Sequence, residues 1–421
     1  MRRRRVTSTA AAIALLASLA AACQLIAGIE NHGFTVDEPV AEAGPPDTSV
    51  PEAASLPDPC AHKMLPPRPD AAFDEIKGFY VFAVRTADFS GADDAGTPLG
   101  YDLDGVCTCD TRPGAAHAGA ASCTAPGSTP CDYDAGVDNA LYAPFRAAAG
   151  FLGDSGNGSA LLGNQTECGR ETLLIVLGDY NGLADDPKVR VGLLPSFGIQ
   201  EPHDAGDDPD SSCGNSGAPP YPAKWDGTDI WTYKTGTGLG SGVTIIPAIG
   251  TSDAYVTGYR LVVPPVGAIS VFLGTAPVEI SSPATVATLQ GVDAFGNDVP
   301  SGTTPVGFRL RDGVLSGRVA VGALLQTIGL LVTKSSINPS DIIPVCQDVL
   351  KGEVIRKQIC NGRDIQSDPA KDFQPPGAAP FACDAVSTAV RFTADMAQVG
   401  DPYLPDAGPD AGCPADWPVC P

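Results

Sequence analysis

The chain predicts a mainly β fold, a disulfide-rich β-sandwich or jelly roll with a helical subdomain near its C-terminus. Three observations carry that expectation. Short apolar runs rich in β-branched and aromatic residues recur between Gly- and Pro-rich punctuation, the pattern of packed strands. From about residue 319 the apolar spacing lengthens to that of helices. The chain also holds 13 cysteines, a number that suits crosslinks in an oxidising compartment.

In chain order, "KGFYVFAV" (77–84) is the first strand. "ETLLIVLGDYNGLADDPKVRVGLL" holds two apolar runs around Asn181-Gly182, a hairpin with a long loop. "AYVTGYRLVV", "GAISVFLG" and "APVEISS" continue the strand pattern. "VGFRLRDGVLSGRV" reads as a hairpin turning at Asp312-Gly313, which supplies the positive φ angles of a two-residue turn. The period then changes. "GRVAVGALLQTIGLLV" sets Val321, Leu324, Leu325, Ile328 and Leu331 at helical spacing. A second helix is expected after Ser340. A third is expected in "CDAVSTAVRFTADMAQVG", capped by Asp384 and stopped by Gly400.

The ends have a different composition. "MRRRRVTSTAAAIALLASLAAAC" combines Arg2 to Arg5, an apolar run to Ala22 and small residues before Cys23. Residues 1–22 read as a secretory signal peptide, too short for a spanning helix. "LAAAC" resembles a bacterial lipobox, with Ala20 where leucine is commonest. The chain is then lipidated on Cys23, or it carries an ordinary signal cleaved near Ala20 to Ala22. Acyl chains on Cys23 would anchor it to a membrane without spanning. Gln24, in place of aspartate, points to the outer membrane of the cell envelope. Residues 23–58 are proline, alanine and acid with little apolar periodicity, the composition of a disordered tether. The domain is expected over 59–400, with its helices in 319–400. In the tail 401–421, Cys413 and Cys420 are expected to close a local disulfide.

Setting Cys23 aside leaves Cys60, Cys107, Cys109, Cys123, Cys131, Cys168, Cys213, Cys346, Cys360, Cys383, Cys413 and Cys420. An even number in an exported chain is a disulfide framework whose pairing sequence leaves open. Cys107 and Cys109 are too close to bond each other and need partners elsewhere. With Cys123 and Cys131 they read as two disulfides pinning a coreless loop. A four-cysteine zinc site is the alternative, although the spacing is not the usual C-x2-C.

The segments "DLDGVCTC", "GVDNAL", "WDGTDIW", "LRDGVLSGR", "ICNGRDI" and "CDAVSTAVRFTADMAQVG" carry a resemblance. Over most of residues 60–400 the chain is similar to uncharacterised cysteine-rich lipoproteins of the myxobacterial type. The resemblance implies a secreted lipoprotein and brings no catalytic or binding residue with it.

The formal charge is −23, and removal of the signal arginines makes it more negative. Such a chain repels phosphate backbones and shows no basic stripe, which excludes nucleic acid as a partner. It attracts divalent cations. "YDLDGVCTCD" offers Asp102, Asp104 and Asp110, and "CDYDAGVDN" offers Asp132, Asp134, Asp138 and Asn139, with Gly136 for the bend. Calcium takes six to eight such oxygens. Neither run completes a helix-loop-helix calcium loop, and acids before glycine are also ordinary turn chemistry. Both readings stand.

"KWDGTDIWTYK" interleaves Trp225, Trp231 and Tyr233 with Asp226 and Asp229. The aromatics could stack on a sugar ring, or fill a core from a strand. His32, His62, His117 and His203 all lie in loop contexts, and no H-E-x-x-H or G-x-S-x-G motif is present. Ser155 in "GDSGNGS" lacks the flanks of a chymotrypsin-like protease. The expected function is a non-enzymatic envelope role, anchored at Cys23, with a protein or glycan partner. A carbohydrate-binding module and a secreted carboxylate-dependent hydrolase are the alternatives.

Overall fold

A computed structural model describes residues 62–71, 78–89, 91–108, 121–127, 130–145, 166–200, 223–240, 245–273, 276–300, 303–338, 340–372, 379–403, 413, 414, 417, 419 and 420. The signal, Cys23, the tether, Cys60, Cys109, Asp110, Ser155, Cys213, His32, His117 and His203 lie outside these residues.

The strands are β1 (Gly78–Asp88), β2 (Thr172–Tyr180), β3 (Asp186–Ser196), β4 (Ile230–Lys234), β5 (Gly238–Leu239), β6 (Ile246–Pro247), β7 (Ile249–Thr257) and β8 (Arg260–Val263). They continue as β9 (Ile269–Leu273), β10 (Ala276–Val292), β11 (Gly307–Ala320), β12 (Val332–Lys334), β13 (Ile342–Pro344), β14 (Ala385–Met396) and β15 (Gln398–Tyr403). Two helices, α1 (Val321–Leu330) and α2 (Val349–Asn361), lie between β11 and β14.

The fold is mainly β, but it is not the predicted sandwich. Pairing runs β11-β14-β1-β2-β3-β7-β8-β10, and β10 pairs back onto β11. Eight antiparallel strands therefore close into a barrel, each beside its successor in the ring. β9 extends this wall along the first part of β10. Closure removes the edges of the eight-stranded ring, whereas two stacked sheets would have four. The inward face is apolar, with Phe82 on β1, Leu177 on β2, Leu193 on β3, Leu261 on β8 and Leu310 on β11 all buried in one core. This is the reverse of a transmembrane barrel, whose apolar band faces out.

"VGFRLRDGVLSGRV" is one strand and not a hairpin. Asp312 does adopt a positive φ of 47°, but it forms a bulge in β11, where pairing with β10 and with β14 shifts register. Phe308 and Leu310 face the core before the bulge, and Leu315 and Val319 face it afterwards. The extra residue changes phase, so a long strand keeps apolar residues inward around the curve. Gly313 is required because a Cβ there would sit 2.5 Å from the Phe392 ring.

The helical stretch is also only partly as expected. α1 buries Val321, Leu324, Leu325 and Ile328. α2 starts at Val349 and not after Ser340, because the Asp348 carboxylate caps the amides of Leu350 and Lys351. The third helix does not form. Residues 385–396 are β14, whose Val386, Val390, Phe392 and Ala394 alternate inward. Asp384 is not a helix cap and instead accepts from the Ser367 amide and hydroxyl. A run dense in Ala, Val and Thr supports either period, and the neighbours β1 and β11 decide.

Three disulfides are formed among described residues: Cys123–Cys383, Cys346–Cys413 and Cys360–Cys420. The expected local bond between Cys413 and Cys420 is thus replaced by two bonds from the tail to the helical region. Trp417 between them is buried and donates to the Leu325 carbonyl. Its ring lies against Gly329 and Gly352, where a Cβ would come within 3 Å of it. Cys123 bonds Cys383, 260 residues away, so it does not pin a loop to itself. Cys107, Cys131 and Cys168 are also disulfide-bonded.

Candidate metal centre

The two acidic clusters, separate in sequence, meet on the outer side of the β11–β14 pair. Main-chain bonds join the segments that carry them: Asp102 N to Lys63 O at 3.1 Å, Asp138 N to Tyr101 O at 3.1 Å and Lys63 N to Ala135 O at 2.8 Å. Asp-rich turns then aim the carboxylates inward. Asp102 accepts from Gly105 N at 2.7 Å and Asp104 from Val106 N at 3.0 Å, bonds typical of aspartate in turns. Asp138 accepts from Leu103 N at 2.6 Å and Asp132 from Thr108 N at 2.5 Å, stitching one cluster to the other. Gly136, at a φ of 69°, permits the close approach. A Cβ there would lie 2.8 Å from Cys107 Sγ and 3.1 Å from Asp102 Oδ2.

A fifth acid, Asp364, approaches the cluster from the segment after α2, near enough for its charge to act on Asp132 and Asp138. It accepts from the amide of Ser387 at 2.9 Å and also from that residue's hydroxyl. Nothing in its local sequence marked it, since a lone aspartate after a helix has no spacing signature. The Cys123–Cys383 bond secures the same region, with Thr124 and Cys383 paired through the backbone at 2.9 Å.

The charges are unbalanced. His62 donates to Asp102. Arg318, buried beneath the loops, donates to Asp372 and to the carbonyls of Gln366 and Leu103. Lys63 is pushed down from its usual range by burial. Among the described residues no lysine or arginine pairs with Asp104, Asp132, Asp138 or Asp364. Burial, reinforced by neighbouring carboxylates, raises Asp104 to about 6, Asp364 to about 7 and Asp132 to about 8. It lifts Asp138 well above the ordinary carboxylate range. The Ser122 hydroxyl, itself buried, lies against Asp104 and favours its ionised form without reaching a full hydrogen bond. The side-chain oxygen of Asn139 is likewise buried with no partner among described residues.

Carboxylate oxygens of Asp102, Asp104 and Asp138 lie within 4.8 Å of one another. That spread suits one hard cation about 2.4 Å from each. His62, Asp102 and Cys107 are equally close, but Cys107 is disulfide-bonded and cannot supply the thiolate zinc prefers. The four-cysteine zinc alternative fails likewise, since Cys107, Cys123 and Cys131 are all oxidised. Of the remaining predicted ligands, Asp134 is exposed on the rim. A hydrolytic carboxylate pair needs access to substrate, whereas Asp104 and Asp138 are each only 2% exposed.

The aromatic segment does not form a sugar-stacking surface. Trp231 and Tyr233 are buried on β4, and Trp225 packs against Trp231 with ring centroids 5.7 Å apart. Together they cover the outer face of β1 and β2, in a core with Val81, Ala83 and Leu174. Asp229 ties the segment by accepting from the amides of Lys224 and Trp225. Asp226 accepts from Thr228. The residues predicted as a ligand platform are a second hydrophobic core.

No protein-family model, curated protein or solved structure matches this chain.

Proposed function

We propose that the chain is an exported, envelope-anchored lipoprotein, attached through Cys23, whose barrel carries a calcium-stabilised loop platform with a non-enzymatic binding role. One observation supports this reading above the others. Acids from three segments converge in a largely buried cluster, and among the described residues no lysine or arginine balances four of them. Burying ionised carboxylates without a counter-charge is costly, and a divalent ion removes that cost. Calcium fits better than magnesium because three carboxylates gather around one point with further acids nearby, and calcium readily takes carboxylate-rich oxygen sets where magnesium keeps several waters. The acidic composition and the oxidised cysteines favour an extracytoplasmic setting.

The test is a melting curve of the full-length protein with calcium and with chelator, repeated on Asp102→Asn/Asp138→Asn. At a hundredfold excess over Kd, binding contributes about 2.7 kcal/mol, a shift of a few degrees for a domain of this size. Equal melting temperatures under the two conditions would refute the calcium site. A calcium-dependent shift retained in the variant would move the site elsewhere.

A further inference from the structure

The outer face of the barrel carries a groove of about 330 Å³ where β2, β3 and β7 run beneath β6. That is more than twice the cavity of about 150 Å³ that takes up benzene, and it falls within the size range of small-molecule sites. Its two sides differ in chemistry. Toward β1 and β2 it is apolar, with Phe79 and Val176 continuing the second core. Ile246 of β6 stands exposed at its lip. Toward β3 and β7 it is polar, with Arg190, Thr251 and Ser252.

The backbone is shaped around this groove. Gly192 lets β6 rest on the wall, since a Cβ there would lie 2.1 Å from Pro247. Gly178, opposite Phe79, leaves the floor bare, and the Arg190 guanidinium lies beside it, 3.5 Å from where a Cβ would be. Asp179 is an extra residue in β2, because Phe79 faces Gly178 while Gly78 faces Tyr180. It holds a φ of 64°, a left-handed conformation that costs a non-glycine residue energy and clusters at functional sites. Bulges likewise re-aim side chains beside such sites. This one brings Asp179 onto Arg190, which donates to it through Nε and, at 3.2 Å, through Nη2. Nη1 has no partner among the described residues.

We propose that this groove binds one pyranose ring of a neutral glycan, with its C–H face against Phe79 and its hydroxyls on Arg190, Thr251 and Ser252. A pyranose has the same two sides as the groove. Its C–H face suits a flat aromatic ring, and its edge hydroxyls each donate and accept, as the Thr and Ser hydroxyls do. The guanidinium charge is already matched by Asp179, and the whole chain stands at −23, which disfavours an acidic sugar. Asp179 is thus a positioning residue that fixes Arg190. The groove lies on a different part of the wall from the acidic centre, so either proposal can fail alone.

The experiment titrates the full-length protein, at constant calcium, with maltohexaose, cellohexaose and chitohexaose, and with hexagalacturonate as the acidic control. Binding is read by calorimetry and NMR. At least one neutral probe is expected to bind, and the acidic one more weakly. Arg190→Leu, at a side chain 63% exposed, should weaken that binding about tenfold, the worth of one hydrogen bond to a charged group. Asp179→Gly removes the left-handed cost, and should weaken binding without lowering the melting temperature. Ser252→Trp should block the groove. Three results would each overturn the proposal: an acidic probe bound as tightly as the neutral ones, binding unmoved in all three variants, or no neutral probe bound at millimolar concentration. The first and last are read on the wild-type protein and stand even if a variant fails to fold.

Discussion

The barrel wall and the acidic loop platform are both buried, yet they are held by opposite means. The wall buries Phe82, Leu177, Leu261 and Leu310 without a charge among them, and burial of such side chains yields about 1.5–3 kcal/mol each. The platform buries Asp104, Asp138 and Asp364 and half-buries Asp132, whose ionised forms oppose burial. What secures it is a disulfide, turn hydrogen bonds and, by our proposal, a cation. The wall should therefore respond chiefly to lost volume. The platform should respond to redox state, pH and calcium.

The largest expected effect belongs to the apolar side. Trp231→Ala empties the second core between β4 and the outer face of β1 and β2, and should cost about 3–5 kcal/mol. That loss should be the same in calcium and in chelator, as measured by denaturant unfolding. A loss that depended on calcium would break the contrast, by showing the two regions to be coupled.

Next comes the staple. Cys123→Ser/Cys383→Ser frees a crosslink of long sequence separation and should cost about 2–4 kcal/mol. Because the bond lies beside Asp364, the variant should also bind calcium more weakly by calorimetric titration. Unchanged affinity would show that the disulfide serves the barrel and not the platform.

The smallest effect, and the sharpest, is in pH. Asp104, Asp364 and Asp132 sit at about 6, 7 and 8, above the unfolded value of about 3.9. The folded state thus holds protons that the unfolded chain has released. Cation-free stability is highest below about pH 4 with respect to these groups and is lost as pH climbs through 6 to 8. Calcium prefers the ionised carboxylates, so the melting gap between calcium and chelator should widen from pH 5 to 8. A gap that narrowed over that range would contradict the assignment.

Much was legible from local residues alone. Strands at 78–88, 172–180 and 186–196 and the helix at 321–330 follow their own periodicity. Four of the five acids were legible because Asp102, Asp104, Asp132 and Asp138 lie in short acidic runs beside glycine or asparagine, a local pattern. The oxidised state of the nine described cysteines followed from composition. Tertiary structure decided the rest. Whether the strands stack as two sheets or close as one barrel depends on β1 meeting β14, some 300 residues away in the chain, and no window of local sequence encodes that distance. Residues 385–396 became a strand because two neighbours offered hydrogen bonds. Asp312-Gly313 became a bulge because the strand had to curve, although its positive φ was foreseen. Asp364 joined the acids, and Cys413 and Cys420 chose Cys346 and Cys360, only once the chain had folded. Sequence sets which face of each element is apolar and which side chains can carry charge, because those are properties of neighbours along the chain. Pairing, closure and the convergence of charge are set by contacts across hundreds of residues, where the free energy of the whole domain chooses among partners that look alike locally.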